Sequence, residues 1–283
     1  GPVTDVLVLG DELIFPESLG HEVVVLDTLF NFRRRIGRKG QGPGELRYPT
    51  DLELTPSGLL AVTEVGNARI SVFDLDGRFI NTYAPAGMRD QVPLSDSTFA
   101  ITPQQPGRRM TRVGRQMADP FGPAEPSDDL AFSDFQYFLP ARLEDGSELF
   151  AHIRGEDLSF MIYDMQGQPV RTVPAPTHRT LAELQKANQE ETERVARALN
   201  ARALGGSEIV VGQTSPDGRW IPIRYLQLKT TYLYDVWRDR FHPLRFAVEG
   251  RVMPGAAVTV AGSTLYAYLY ERGLFAFEID LPE

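Results

Sequence analysis

Residues 35–83 read RIGRKGQGPGELRYPTDLELTPSGLLAVTEVGNARISVFDLDGRFINTY, and this stretch decides the fold. Apolar runs of strand length alternate with turn signals. The turns are Gly37 to Gly44, Pro56-Ser57-Gly58, Gly66-Asn67 and Asp74-Leu75-Asp76-Gly77. Between them lie Leu52–Leu54, Leu59–Val65, Arg69–Asp74 and Phe79–Tyr83. Turns this close leave no room for crossover helices, so the strands are expected to be antiparallel and meandering. Four such strands make one propeller blade.

The same residues carry a resemblance. Gly42-Pro43-Gly44, the strand Leu59–Val65, the turn Gly66-Asn67 and Ile70-Ser-Val-Phe-Asp-Leu-Asp-Gly77 resemble the NHL repeat. More narrowly, the stretch is similar to six-bladed β-propeller proteins that bacteria place outside the cytoplasm. The resemblance implies an all-β, six-bladed β-propeller. It is specific for fold and poor for function, because one fold hosts many activities.

A repeat ruler extends the reading. VVVLD, ISVFD, FMIYD, TYLYD and FAFEID end at Asp27, Asp74, Asp164, Asp235 and Asp280, which are 47, 90, 71 and 45 residues apart. The gap of 90 hides one repeat, with Asp119 at its midpoint, and the gap of 71 holds an insertion. Six repeats of this period suit propeller blades. Blade one uses Val6–Leu9, Leu13–Glu17, Glu22–Asp27 and Phe30–Ile36. Blade three is expected to be degenerate, with one strand at Thr98–Thr102 and a Pro-, Gly- and Arg-rich loop. Blade five ends in a strand Pro243–Val248. Blade six offers three strands, Ala257–Val260, Leu265–Tyr270 and Leu274–Asp280. The expectation is one domain over 1–283, with insertions at about 104–130 and 178–206.

The missing fourth strand of blade six has a consequence. An unpaired Leu274–Asp280 would be an apolar edge, which proteins avoid. Either a segment upstream of Gly1 supplies the strand, which also allows an export signal or lipid anchor upstream, or a partner covers the edge.

Composition narrows the function classes. The chain has 283 residues, 42% hydrophobic and 24% charged, as in a globular protein. A net charge of −9 argues against nucleic-acid binding. No apolar run is long enough to span a membrane, and no signal peptide is visible. The absence of cysteine removes disulfides, thiolate metal sites and Cys nucleophiles. Arg33-Arg34-Arg35 with Arg38-Lys39, and Arg108-Arg109 with Arg112 and Arg115, are local basic clusters. They read as solvated loops and edges, or as docking patches for an acidic partner.

No constellation points to catalysis. The Gly37–Gly44 loop is followed by a strand, whereas phosphate-binding loops open a helix. His21, His152, His178 and His242 do not share a blade position, so no metal site is expected. HExxH and GxSxG are absent. The resemblance adds that some gluconolactonase-like propellers place His or carboxylate ligands around the central channel, but no such set can be mapped here. No cofactor is expected.

The ruler supplies candidate binding residues instead. Ten residues before each strand-end Asp, the second strand of a blade ends on the face where propellers usually bind ligands. Those residues are Glu17, Glu64, Arg154, Tyr225 and Tyr270, with Arg109 in the irregular blade. Aromatic and Arg side chains suit recognition, although loop entries are often polar anyway. The insertion reads as a helix over about 181–204, with Thr180 and Glu183 as a capping box and Gly205-Gly206 as its stop. Leu181, Leu184, Val195, Leu199 and Ala203 share one face, interrupted by Asn188 and Thr192. The helix either rests on the propeller or projects as a partner-binding arm using Leu184, Val195 and Leu199.

Three functions remain open. The first is a non-enzymatic, extracytoplasmic protein-binding scaffold, such as a peripheral accessory subunit stabilising a membrane-bound complex. The second is a hydrolase or lyase acting on a sugar or lactone in the channel. The third is a glycan-binding sensor.

Overall fold

The computed structural model describes residues 5–84, 90–101, 110–114, 118–122, 136–154, 159–177, 183, 186, 209–225, 230–253, 255–269 and 272–282. Five sheets have four strands in sequence order. They are β1–β4 (Leu7–Leu9, Glu12–Glu17, Glu22–Asp27, Phe32–Ile36), β5–β8 (Pro49–Leu54, Leu60–Glu64, Arg69–Phe73, Phe79–Tyr83), and β9–β12 (Gln91–Ser95, Thr98–Ile101, Met110–Val113, Ala118–Phe121). Then come β13–β16 (Gln136–Arg142, Glu148–Arg154, Phe160–Asp164, Pro169–Val173) and β17–β20 (Ile209–Val211, Trp220–Tyr225, Thr230–Asp235, Arg240–Leu244). A two-stranded hairpin follows, β21 (Phe246–Val248) and β22 (Arg251–Met253). The last sheet is β23–β25 (Gly255–Ala261, Thr264–Leu269, Gly273–Glu278). Within each sheet, neighbouring strands pair antiparallel.

The ring closes through its cores, since an apolar cluster fills each gap between blades. Blades one and two share Ile14, Val25, Ile36, Leu52, Val62 and Phe73. Blade two meets blade three at Ala61, Ile70, Val72 and Phe99. Phe121, Phe138 and Phe150 join three to four, and Ile153, Ile162, Ile223 and Tyr234 join four to five. Trp220, Leu233, Leu265 and Leu269 join five to six, and Val6, Val8 and Leu13 pack on Val258 and Tyr266 to join six to one. Each blade is therefore buried on both faces. That is why β6 (LAVTE) is buried throughout rather than alternating. Leu60 and Val62 face blade one, while Ala61 faces blade three.

The strand-end Asp has a local cause. Asp27, Asp74, Asp164 and Asp235 turn their carboxylates onto backbone N–H groups of the following hairpin. Examples are Arg78 N–H on Asp74 at 2.7 Å, and Gln166 and Gln168 N–H on Asp164 at 2.9 and 2.8 Å. This is the Asx-turn chemistry that makes Asp a turn residue. Gly77 and Gly167 complete their turns at positive φ, 94° and 80°, which L side chains rarely adopt.

Three expectations are corrected. Blade three is a complete four-stranded sheet rather than a degenerate one. Asp119 lies in its outer strand, β12, where it pairs with Arg112, and does not end a third strand. The strand expected at Pro243–Val248 divides at Arg245: β20 completes blade five, and β21 pairs with β22. In blade six, β25 pairs with β24 alone among the described residues. The hairpin brings Phe246 to 6.1 Å from Phe277, so it packs on the apolar side chains of that edge. The helix expected over 181–204 lies outside the described residues, apart from Glu183 and Lys186, which are helical.

Candidate functional site

The ring has two ends. One, the first-turn face, carries the turns between first and second strands and between third and fourth. The other, the crossover face, carries the second-to-third turns and the crossings to the next blade. Glu17, Glu64, Arg154 and Tyr225 each end a second strand at the crossover face. Their side chains serve different ends. Glu64 is fully buried and accepts hydrogen bonds from Arg47 N–H, Asn67 Nδ2, Arg69 Nε and Ser71 Oγ at 2.5–2.9 Å. Tyr225 is also fully buried, its ring packed on Tyr232 and Phe241. Glu17 is half-buried and accepts Leu19 N–H. The side chain of Arg154, and Tyr270, Arg109, Leu184, Val195 and Leu199, lie outside the description.

Glu64 explains the motif. Arg69, held by Glu64, donates to the carbonyls of Gln41, Gly42 and Glu45, while Asn67 donates to that of Gly40. Glu45 in turn accepts the N–H groups of Gln41 and Gly42. The Gly-rich crossing is thus pinned by the Gly-Asn-Ala-Arg turn through one buried glutamate. A Cβ at Gly40 would meet Glu45 Oε2 at 2.0 Å, so a side chain there would push Glu45 off the Gln41 and Gly42 N–H groups it holds. The arginines of the basic cluster beside it are spent in ion pairs: Arg33 with Asp11, Arg34 with Glu12, Arg35 with Glu22 and Arg38 with Glu45.

The same crossing presents apolar side chains to solvent. Leu19 is 74% exposed, Val65 50% and Tyr48 43%. They sit on linked loops: Ser18 Oγ donates to Pro49 O, Tyr48 N–H to His21 Nδ1 at 3.1 Å, and Val65 N–H to Tyr48 O at 3.1 Å. His21 and Tyr48 also make an edge-on ring contact at 4.4 Å. His21, Tyr48 and Ala68 all hold positive φ, 61°, 50° and 49°, an unfavourable state for non-glycine residues. Surrounding bonds fix that strain, and strain of this kind gathers at binding sites.

A second locus lies inside the ring. The first strands meet around the axis, β5 against β9, β9 against β13, β17 against β23, and β23 against β1. Four carboxyls gather there. Asp5 accepts Leu52 N–H at 2.7 Å, clasping blade one to blade two. Asp90 accepts Phe138 N–H at 2.9 Å and clasps blade three to blade four. Asp51 accepts the Thr63 hydroxyl. Glu53 is 1% exposed and its Oε1 has no hydrogen-bond partner. Opposite, Gln213 Nε2 donates to Leu52 O at 2.8 Å.

Burial, and next the charge of Asp51, push the carboxyls of Asp5, Glu53 and Asp90 well above the usual range. Burial raises Asp51 to about 7. Repulsion among like charges in a poorly solvated space favours protonated acids, which can donate hydrogen bonds as well as accept them. Among the described residues, no three His, Asp or Glu side chains are grouped to hold a metal ion. Sequence reading missed this locus because its ruler was anchored on third strands. The available signal was an Asp in or just ahead of each of the first three blades' first strands, at Asp5-Val6, Asp51-Leu52 and Asp90-Gln91.

Comparison with known proteins bears on the fold. No family model matches the chain. A segment of 55 residues is 38% identical to the RING finger protein nhl-1 of Caenorhabditis elegans, spanning 19% of this chain and 6% of that protein. Virginiamycin B lyase of Staphylococcus aureus superposes with a TM-score of 0.54 and 8% identity over 99% of this chain and 85% of the lyase. A streptogramin B lyase gives 0.54 and 13% over 100% and 84%. A Bacteroides fragilis protein assigned as exported gives 0.57 and 14% over 94% and 79%. Identities this low carry the architecture alone. With one apolar core per blade gap and the Gly-Pro-Gly crossing pinned by Glu64 and Arg69, the chain is a six-bladed β-propeller carrying an NHL-like repeat.

Proposed function

We propose that this chain is a non-enzymatic, protein-binding propeller acting outside the cytoplasm, in the manner of an accessory subunit of a membrane-bound complex. The observation that carries the reading is the exposed group Leu19, Tyr48 and Val65 on hydrogen-bonded, strained loops of the crossover face. Apolar side chains held rigid in water cost solvation and gain it back when a partner covers them. Rigid anchors lose little entropy on association. The exported assignment of one fold neighbour supports the location. Among the described residues, no helix is long and apolar enough to cross a membrane. Association with a membrane would then run through the partner.

The test places a photo-crosslinking residue at Leu19 and irradiates native membranes and soluble extract. A discrete crosslinked protein, lost on Val65→Asp, is the expected result. Recovery of no stable partner from either fraction overturns the reading.

The acidic channel favours a second reading, a hydrolase or lyase acting on a sugar or lactone, with raised carboxyls as general acids. Elemental analysis detecting a divalent ion that Asp51→Asn and Asp90→Asn remove would select it. The glycan-sensor reading draws on the aromatic and acidic residues at the second-strand ends, of which the blades bury Tyr225 and Glu64.

A further inference from the structure

The opposite mouth of the channel holds a pocket. It occupies about 360 Å³ on the first-turn face. Its wall is largely apolar, from Leu7, Leu9, Leu54, Val92, Pro140 and Met165. Polar residues also line it, among them Glu53, Gln213 and Thr214 and the ion pair Arg142–Glu148, 3.6 Å apart. Gln213 is committed to Leu52 O. Two oxygens are not satisfied: Glu53 Oε1 and Thr214 Oγ1 are buried and lack hydrogen-bond partners. Glu53 is 1% exposed and Thr214 6%. Buried polar atoms are almost always paired, and an orphan among them calls for a partner. Both orphans belong to residues that line this one pocket, and a rotation of each side chain would bring the two closed-off oxygens to a common ligand.

The charge around Glu53 says which partner. The charged groups acting on Glu53 are Asp51 on its own strand, Asp5 ahead of β1 and Asp90 ahead of β9, all carboxyls, beside a hydrogen bond with the Gln213 side chain. Arg142, the one cation lining the pocket among the described residues, is paired with Glu148. A carboxylate ligand would add a further like charge. A neutral alcohol would satisfy the two oxygens but leave the repulsion in place. An ammonium head satisfies both oxygens, with three donors, and lowers the repulsion. The apolar wall then takes a hydrocarbon or aromatic body.

We infer that this pocket is a binding site for a small amphiphilic amine, its cationic head on Glu53 and Thr214 and its apolar body against Leu7, Leu54 and Val92. The site is at the other end of the ring from the proposed protein-binding face and stands whether or not that face has a partner. Because the amine pairs with ionised Glu53, binding releases a proton, and affinity rises from pH 5 to pH 8.

The probe is 2-phenylethylamine, titrated calorimetrically beside 2-phenylethanol and 3-phenylpropionate. The expected result is that the amine binds at least tenfold more tightly than either and that its affinity climbs with pH. Glu53→Gln, which keeps shape and removes charge, is expected to weaken the amine at least tenfold while leaving the alcohol unchanged. Leu9→Trp, which fills the wall near the rim, is expected to abolish both. Equal affinities for amine and alcohol, failure of all three probes to bind, or an amine affinity unaffected by Glu53→Gln overturns the inference. If Glu53→Gln does not fold, the pH slope and the amine–alcohol ratio of the unmodified protein decide alone.

Discussion

Blade two buries two glutamates of opposite character: Glu64 at 0% and Glu53 at 1% exposure. Glu64 ends β6 at the crossover face, and its two oxygens take Arg69, Asn67, Ser71 and a backbone N–H. Glu53 lies in β5 among Asp5, Asp51 and Asp90, with one oxygen unpartnered. The two residues cost the same kind of desolvation. One is repaid by a guanidinium and a set of donors, and the other is left to hold its proton. Burial alone therefore says nothing about role. The partners decide whether a buried acid is a structural rivet or a reactive or receptive group.

The largest effect is expected on the satisfied side. Glu64→Ala leaves the part-buried Arg69 without its carboxylate and frees the Gly-rich crossing. Removing one partner of a buried pair costs about 3–5 kcal/mol. The melting temperature is expected to fall by roughly ten degrees, since about 1 kcal/mol shifts it by 2–4 °C at this size. A fall of only a degree or two would mean that water replaces Glu64 and that the contrast with Glu53 is false.

The channel acids should behave in the opposite sense. Their folded pKa values lie above the unfolded ones, so the folded state keeps protons that the unfolded chain releases near pH 4. The stabilisation is complete below that pH and is lost as pH rises through Asp51, at about 7. Glu12 and Glu45, lowered by hydrogen bonds to Arg34 and to Gly42 N–H first of all, contribute above pH 4 and fail only in acid. Melting temperature is thus expected to decline from pH 5 to pH 8, and Asp51→Asn to flatten that slope and raise stability at pH 8 by about 1–3 kcal/mol. Stability rising over the same range would show that the four carboxyls are charged and compensated.

What the sequence made legible was local. The Gly-Asn turn and the strand-end Asp are short-range motifs whose hydrogen bonds close within a few residues, and the Gly-Pro-Gly crossing is tied to that turn across 24–28 residues of one contiguous repeat. Asp119 shows the limit: spacing placed it at a strand end, but spacing averages over loops, and β11 ends at Val113 with no Asp to mark it. The channel was illegible for a different reason. Asp5, Asp51 and Asp90 are separated by 46 and 39 residues and meet only because a ring brings first strands to one axis. Tyr225 and Glu64 were placed correctly at strand ends, but whether an end residue faces solvent depends on the neighbouring loop that covers it.

A third kind of carboxylate lies between the two glutamates. Asp164 is part-exposed and accepts two backbone N–H groups in the β15–β16 hairpin, with no cation paired to it among the described residues. Water can replace these bonds. Asp164→Ala is expected to cost about 1 kcal/mol, the ordinary net worth of a hydrogen bond, and chemical denaturation should show an unchanged slope. A loss as large as that of Glu64→Ala would mean that turn capping, rather than burial and pairing, sets the scale.

The smallest effect on stability is expected where the chain is most exposed. Leu19 and Val65 contribute little buried area to the fold, and their loops are fixed by backbone and His21 bonds that the side chains do not make. Surface substitutions away from such features stay within about 0.5 kcal/mol. Leu19→Ser with Val65→Ser should therefore melt with the unmodified protein, while crosslinking from Tyr48 to a native partner is lost. That separation is the reverse of Glu64→Ala, where crosslinking fails because the loop itself is released. If the double variant instead melts several degrees lower, the two side chains are part of the core that holds the crossing, and the crossover face has no anchor to spare for a partner.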